Sequence, residues 1–192
     1  SFIGFSFAFT QILNINFTAQ EIAPLLDKYH VASAAKLPKE AAKALAKANF
    51  DASIHTAWIA FLGPLLGSIS RPFGGKLADK IGGGKITLYT FAAMTVVTAV
   101  LVSTGMWDDA TKGPATGAQM AVYIAAFMVL FILTGLGNGS TYKMVPSIFE
   151  AKAQGKDDLG AAEKTLWSRS MSGALIGFAG AVGAFGGVLV NI

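Results

Sequence analysis

The sequence predicts an all-α, polytopic membrane protein, and three observations carry that prediction. Of 192 residues, 53% are hydrophobic and only 14% are charged, against about 25% charged in an average soluble domain. The mean hydropathy is +0.55. Three runs carry no charge at all: 22 residues over 86–107, 23 over 120–142 and 22 over 171–192. About 20 such residues cross a hydrocarbon core of roughly 30 Å, so each run is long enough to span a bilayer. A disordered chain is excluded, and an ordinary water-soluble globule is not expected.

The first segment runs from Ser1 to about Phe17 and is rich in phenylalanine. Phe2, Phe5 and Phe9 share one side of it, a stripe more typical of packing than of a cavity wall. Residues 18–56 change character, with many alanines, five lysines (Lys28, Lys36, Lys39, Lys43 and Lys47) and four acids. They are expected to form an extracytoplasmic helical insertion whose second helix starts near Pro38. A second span is expected over about 57–75 and a third over 86–106, followed by a short polar connection over 107–117. A fourth span covers about 118–149, a charged, loop-like stretch 150–169, and a fifth span 171–192. The chain starts and stops inside hydrophobic segments, and residues 1–192 are read as one partial transmembrane domain of a longer protein.

Loop charges orient these spans. Lys76, Lys80 and Lys85 lie between spans two and three, and Lys152, Lys156, Lys164 and Arg169 between four and five. Only Lys112 lies between three and four. The positive-inside rule makes the first two connections cytoplasmic; the lysines of the insertion point the other way and are discounted, because longer domains follow the rule poorly. Trp58, Trp107 and Trp167 fall near the membrane boundaries, as interfacial anchors do.

Several classes of chemistry are not expected. Without cysteine there is no disulfide and no thiolate metal site. His30 and His55 stand apart from any paired carboxylate or metal spacing, and no nucleophile–base set emerges, so no enzyme activity, metal or cofactor is expected. The net charge of +4 is spread along the chain and offers nucleic acid no dense basic block.

Arg71 is the most informative residue. At 100° per residue, Ala60, Pro64, Gly67 and Gly75 fall within about 40° of it, while Leu62, Leu66, Ile69 and Phe73 fall on the far side. A charge inside a span costs roughly 2.5–3.5 kcal/mol on insertion scales and usually marks function. The plainer reading is an arginine that snorkels to the cytoplasmic headgroups, since Asp79 is only about 12 Å further along the helix. The small-residue face favours the functional reading, because a snorkelling arginine has no need of it.

The stretch Gly74-Gly75-Lys76-Leu77-Ala78-Asp79-Lys80-Ile81-Gly82-Gly83-Gly84-Lys85 places one acid among cations in a glycine-rich turn. Asp79 there can pair with cations and helix ends and latch two helices in one state; equally, a positive-inside loop needs turn glycines. It has no preceding strand and no Gly-Lys-Ser/Thr ending, so it is not a phosphate-binding loop. Further on, Gly137-Asn138-Gly139-Ser140-Thr141-Tyr142-Lys143 offers amide and hydroxyl donors, with Lys143 either a second fixed positive charge or an anchor. The last segment carries Gly173, Gly177, Gly180, Gly183, Gly186 and Gly187, spacing that suits close helix packing or approach to a small ligand.

The loop resembles the signature G-x-L-A-D-R/K-x-G of the major facilitator superfamily at Gly75, Leu77, Ala78, Asp79, Lys80 and Gly82. The basic pair that usually follows is replaced by Gly83, Gly84 and Lys85, so a latch would be weaker or use Lys85. Ser1 to Ser6, Gly135 to Tyr142 and Gly173 to Gly187 together resemble the nitrate/nitrite porters of the NarK type. The likeness covers nearly all of the chain except 18–56. It implies that the five segments are helices 7 to 11 of a twelve-helix bundle in a bacterial inner membrane. It also implies that Arg71 holds the anion with a partner arginine outside this chain, with Tyr142, Gly180 and Gly183 nearby. Asn138 and Ser140 would be further donors, and the partners would be nitrate, nitrite, the bilayer and an N-terminal half. Nitrate is planar and weakly hydrated, and a guanidinium offers paired planar donors without titrating.

The expected function is therefore alternating-access transport, with nitrate/nitrite exchange favoured because no uncharged span holds a carboxylate to carry a proton. A facilitator-superfamily porter for an organic anion or drug, or a non-transporting membrane subunit, are the alternatives.

Overall fold

The computed structural model describes residues 2–111 and 114–189, apart from the side chains of residues 2, 3, 5 and 187. Ser1 and Lys112, the side chains of Phe2 and Phe5, and the burial of Gly187 thus lie outside what is described. The chain forms five long helices, α1 (Phe2–Tyr29), α2 (Ala42–Ile81), α3 (Gly83–Ala110), α4 (Gly117–Gln154) and α5 (Ala161–Leu189). Among the described residues, three helical stretches are long and apolar enough to cross a membrane: Lys39–Ile81, Gly83–Ala110 and Gly117–Gln154.

Residues 18–56 are built differently from a free-standing insertion. Residues 18–29 are the last turns of α1, and 42–56 are the first turns of α2. His30, at φ 53°, closes α1, and Val31 N–H returns to the Leu26 carbonyl at 3.1 Å. Pro38 then leads through a 3-10 turn, Lys39–Ala41, directly into α2. The two extensions stay in register: His55 Nδ1 lies 3.4 Å from Glu21 Oε1, and its ring is 5.9 Å from that of Phe17. The expected signature loop shrinks to one residue between α2 and α3. Gly82 adopts φ 97°, open to glycine at no steric cost, and its N–H bonds the Ala78 carbonyl at 2.9 Å.

The α3–α4 connection is fastened at both ends. Thr116 and Gln119 form a capping box, with Gln119 Oε1 accepting from Thr116 N–H at 2.7 Å. The Gln119 amide is fully buried and donates to Thr111 Oγ1 at 3.1 Å. From α1, Asn16 Oδ1 accepts the Ala115 N–H at 2.9 Å, and Gln20 Nε2 donates to the Ala115 carbonyl at 3.1 Å. Ala115 is buried, and an unpaired backbone group away from water costs several kcal/mol, so two amide side chains serving this one connecting residue are a substantial restraint.

The core lies between α1 and α4, where Phe9, Leu13, Tyr123, Phe127, Leu130 and Phe131 are buried. Phe9 stacks on Phe127 at 4.9 Å between ring centroids and meets Phe131 edge-on at 5.9 Å, so this member of the Phe stripe is packing. The closest helix contact is a glycine seam between α2 and α4. A Cβ on Gly74 would fall on the Leu136 carbonyl, one on Gly135 on the Gly67 carbonyl, and one on Gly139 on the Arg71 carbonyl. Gly63 lies directly against the Phe131 ring. Buried α2 residues therefore recur at Thr56, Gly63, Gly67, Ser70 and Gly74, while Leu62, Ile69 and Phe73 are exposed on the other side, as the helical spacing predicts; Leu66, expected with them, is half-buried at the edge of the packed face.

Two outcomes follow for stability. Gly139→Ala drives a methyl into backbone that has no flexible end to yield, and should lower stability by about 1–3 kcal/mol. Gly84→Ala, where a Cβ meets nothing within 4 Å, should change it by less than about 0.5 kcal/mol; thermal unfolding of both in one detergent compares them. Asn16→Ala leaves the Ala115 N–H without its acceptor, and amide hydrogen exchange at 115–119 should then speed up while that of the α2–α4 seam does not.

Candidate functional site

The seam determines where Arg71 stands. Its carbonyl covers Gly139, so the Arg71 backbone is held against α4 at the level of Asn138, Thr141 and Tyr142. Arg71 itself is exposed at the rim of the seam. Of the small residues expected beside it, Gly67 is buried in the seam, whereas Ala60, Pro64 and Gly75 are half-buried. Asn138 is half-buried and Tyr142 is exposed; at i and i+4 they share one face of α4. This is the group of predicted anion-site residues that the fold brings to one level.

Two other predictions do not fit that group. Ser140 is fully buried, and its hydroxyl donates to the Gly83 carbonyl at 3.0 Å across the α3–α4 contact. It lies 200° around the helix from Asn138, so its proton is committed to α3 and it is not an anion donor here. Gly180 and Gly183 lie in the second half of α5, where among the described residues no side-chain position on the glycines is covered. A Cβ built at Gly173, Gly177, Gly180, Gly183 or Gly186 meets no atom within 4 Å. Nothing among the described residues therefore brings Gly180 or Gly183 to Arg71.

The signature residues assemble around the α2–α3 turn. Asp79 and Lys80 lie in the last turn of α2, Lys85 in the first turn of α3, and Gly82 between them. Asp79 pairs with the Lys143 ammonium of α4. Neither Lys80 nor Lys85, its neighbours in sequence, forms that ion pair. Gly75 makes the route: its Cβ position lies 3.7 Å from the Gly139 carbonyl and 3.7 Å from Lys143 Cδ, so the lysine stem passes over a residue without a side chain. The Lys143 charge is thus spoken for, and it is neither a second free cation nor a lone anchor. Both partners are half exposed, at 52% for Asp79 and 51% for Lys143. Such a pair contributes about 0.2–1 kcal/mol, enough to bias two conformations and too little to lock one.

Lys143 as the partner of Asp79 was not legible in the sequence, because an ion pair spanning 64 residues leaves no local pattern. The seam did leave one: Gly63-x-x-x-Gly67 and Gly135-x-x-x-Gly139 both have the small-x-x-x-small spacing of close-packed membrane helices.

No family model matches the chain. It is 36% identical over 152 residues to "Nitrate/nitrite transporter NarU" of Escherichia coli (strain K12), covering 76% of this chain and 30% of that protein. It is 30% identical over 143 residues to "Probable nitrate/nitrite antiporter NarK2" of Thermus thermophilus, covering 74% and 27%. It is also 30% identical over 103 residues to "Nitrite extrusion protein" of Bacillus subtilis (strain 168), covering 54% and 22%. The chain therefore spans about a third or less of the length of the relatives it matches. The bacterial relatives and the span-length helices place it in a bacterial inner membrane as a multi-pass protein. With the facilitator signature at the α2–α3 turn and this likeness over three quarters of its length, the chain belongs to the NarK-type nitrate/nitrite porters of the major facilitator superfamily.

Proposed function

We propose that this chain forms part of a porter that carries nitrate and nitrite across the inner membrane by alternating access, in exchange for one another. The observation that carries the reading is Arg71: a guanidinium on a span helix, its backbone seated on Gly139 and its rim shared with Asn138 and Tyr142. The relatives, named as nitrate/nitrite transporters and as an antiporter, supply the anion. A guanidinium meets a planar oxyanion through two parallel N–H···O bonds and stays charged at every physiological pH. A second arginine would come from the rest of a full-length porter, as would a close neighbour for the glycines of α5.

Exchange follows from charge. An anion on Arg71 offsets a cation that is costly within the bilayer, so the occupied site crosses more readily than the empty one. Counter-transport of a second anion then returns the site without exposing the bare charge. The α2–α4 unit would move as one body because its backbones are in contact, while Asp79–Lys143 biases which end is closed.

Arg71→Lys keeps the charge and loses the fork. With charge-assisted hydrogen bonds worth about 1.5–3 kcal/mol, nitrate affinity in proteoliposomes bearing the full-length porter should fall at least about tenfold; unchanged affinity would overturn the anion-site reading. Uptake should rise with nitrite loaded inside and stay the same when the proton gradient is collapsed. The opposite pattern would replace exchange by symport. Asp79→Asn and Lys143→Gln should each alter turnover more than affinity, with the charge-reversed pair Asp79→Lys/Lys143→Asp restoring part of the loss.

A further inference from the structure

A cleft of about 750 Å³ opens between the end of α4 and the start of α5. By the charge of the connections it lies on the cytoplasmic side, away from Arg71. Its chemistry changes along its length. Lys164, Thr165, Ser168 and Arg169 line one part, with Glu150 opposite, whereas Pro146, Gly173 and Ile176 line another. Ser168 is only 8% exposed, and its hydroxyl has no hydrogen-bond partner among the described residues. Arg169 likewise forms no ion pair among them, and Lys164 spends one donor on the Gln154 carbonyl at 3.2 Å.

The cleft sits at an aromatic belt. Trp167 meets Phe149 edge-on at 5.9 Å, and the Lys156 ammonium lies 4.8 Å from the Trp167 ring centroid. Trp at such a level marks the headgroup boundary, and Ile176 lies nine residues, about 13 Å, deeper along α5. The polar part is therefore at headgroup depth and the apolar part within the hydrocarbon. A nitrate ion has four atoms and no apolar end, and would leave most of such a volume unfilled. A phosphodiester with an acyl chain satisfies both parts at once.

We propose that the α4–α5 cleft binds one anionic phospholipid of the cytoplasmic leaflet, its phosphate on Arg169, Lys164 and Ser168 and one acyl chain along Gly173 and Ile176. Occupancy would tie the cytoplasmic ends of α4 and α5 together, reinforcing the Phe149–Trp167 contact and the Lys164–Gln154 hydrogen bond.

The test is native mass spectrometry of the delipidated full-length protein titrated with phosphatidylglycerol, with phosphatidylcholine of the same chains, and with inorganic phosphate. One phosphatidylglycerol should bind with clear preference over phosphatidylcholine, and millimolar phosphate should not displace it. Arg169→Gln should weaken binding roughly five-fold, and Lys164→Gln/Arg169→Gln roughly 25-fold, at about one such factor per cation; Arg169→Lys should retain it. Equal binding of the two lipids in the unaltered protein, unchanged binding in the double variant, or displacement by phosphate would each overturn the proposal, the last by showing a site for a soluble anion.

Discussion

The contact on which the rest of the structure depends is the glycine seam between α2 and α4. Lipid tails are as apolar as leucine, so burying leucine between helices gains little in a membrane, and close van der Waals contact must hold them instead. Glycines at 67, 74, 135 and 139 remove the side chains that would keep the two backbones apart. Everything of functional interest is placed from this line. It sets Arg71 opposite Gly139, brings Lys143 within reach of Asp79, and leaves the other sides of α4 for α1, α3 and α5.

The seam and the ion pair act on different scales. Backbone in contact with backbone cannot slide without steric overlap, since packed interiors tolerate little added volume. A half-exposed Asp79–Lys143 pair can open at a cost near thermal energy. A protein that must change conformation needs both kinds of contact: rigid ones to carry a site unchanged through a movement, and weak ones that are made at one end of it and broken at the other. The α3 helix is attached by intermediate means, through the Ser140 hydroxyl on Gly83 and through Thr90, whose Cγ2 would lie 3.2 Å from a Cβ at Gly137.

Legibility differed from element to element for physical reasons. The helical spacing around Arg71 separated Leu62, Ile69 and Phe73 from the packed side of α2, because periodicity reports which residues share a face, but it misjudged Leu66, which is half-buried. It could not say which of several small-residue faces would be used. The repeat on α5 is the longest in the chain, yet among the described residues none of its glycines is closely covered, while the shorter repeats on α2 and α4 form the seam. Residues 18–56 looked separate because their composition is polar; composition reports exposure to water, and a helix can leave the bilayer without ending. Asn16 and Gln20 belong to no motif in the sequence, yet both serve the backbone of Ala115.

Amino-acid sequence alone determined the class, the helical architecture and the family, since each rests on composition, period or a contiguous motif. Only the tertiary structure decided that Lys143 answers Asp79, that Ser140 spends its proton on Gly83, and that Gly139 rather than Gly180 stands against Arg71. These are choices of partner between residues far apart in the chain. A helix presents every face to its surroundings, and which face meets which neighbour is settled by close packing, where a single carbonyl in the place of a missing Cβ determines the register.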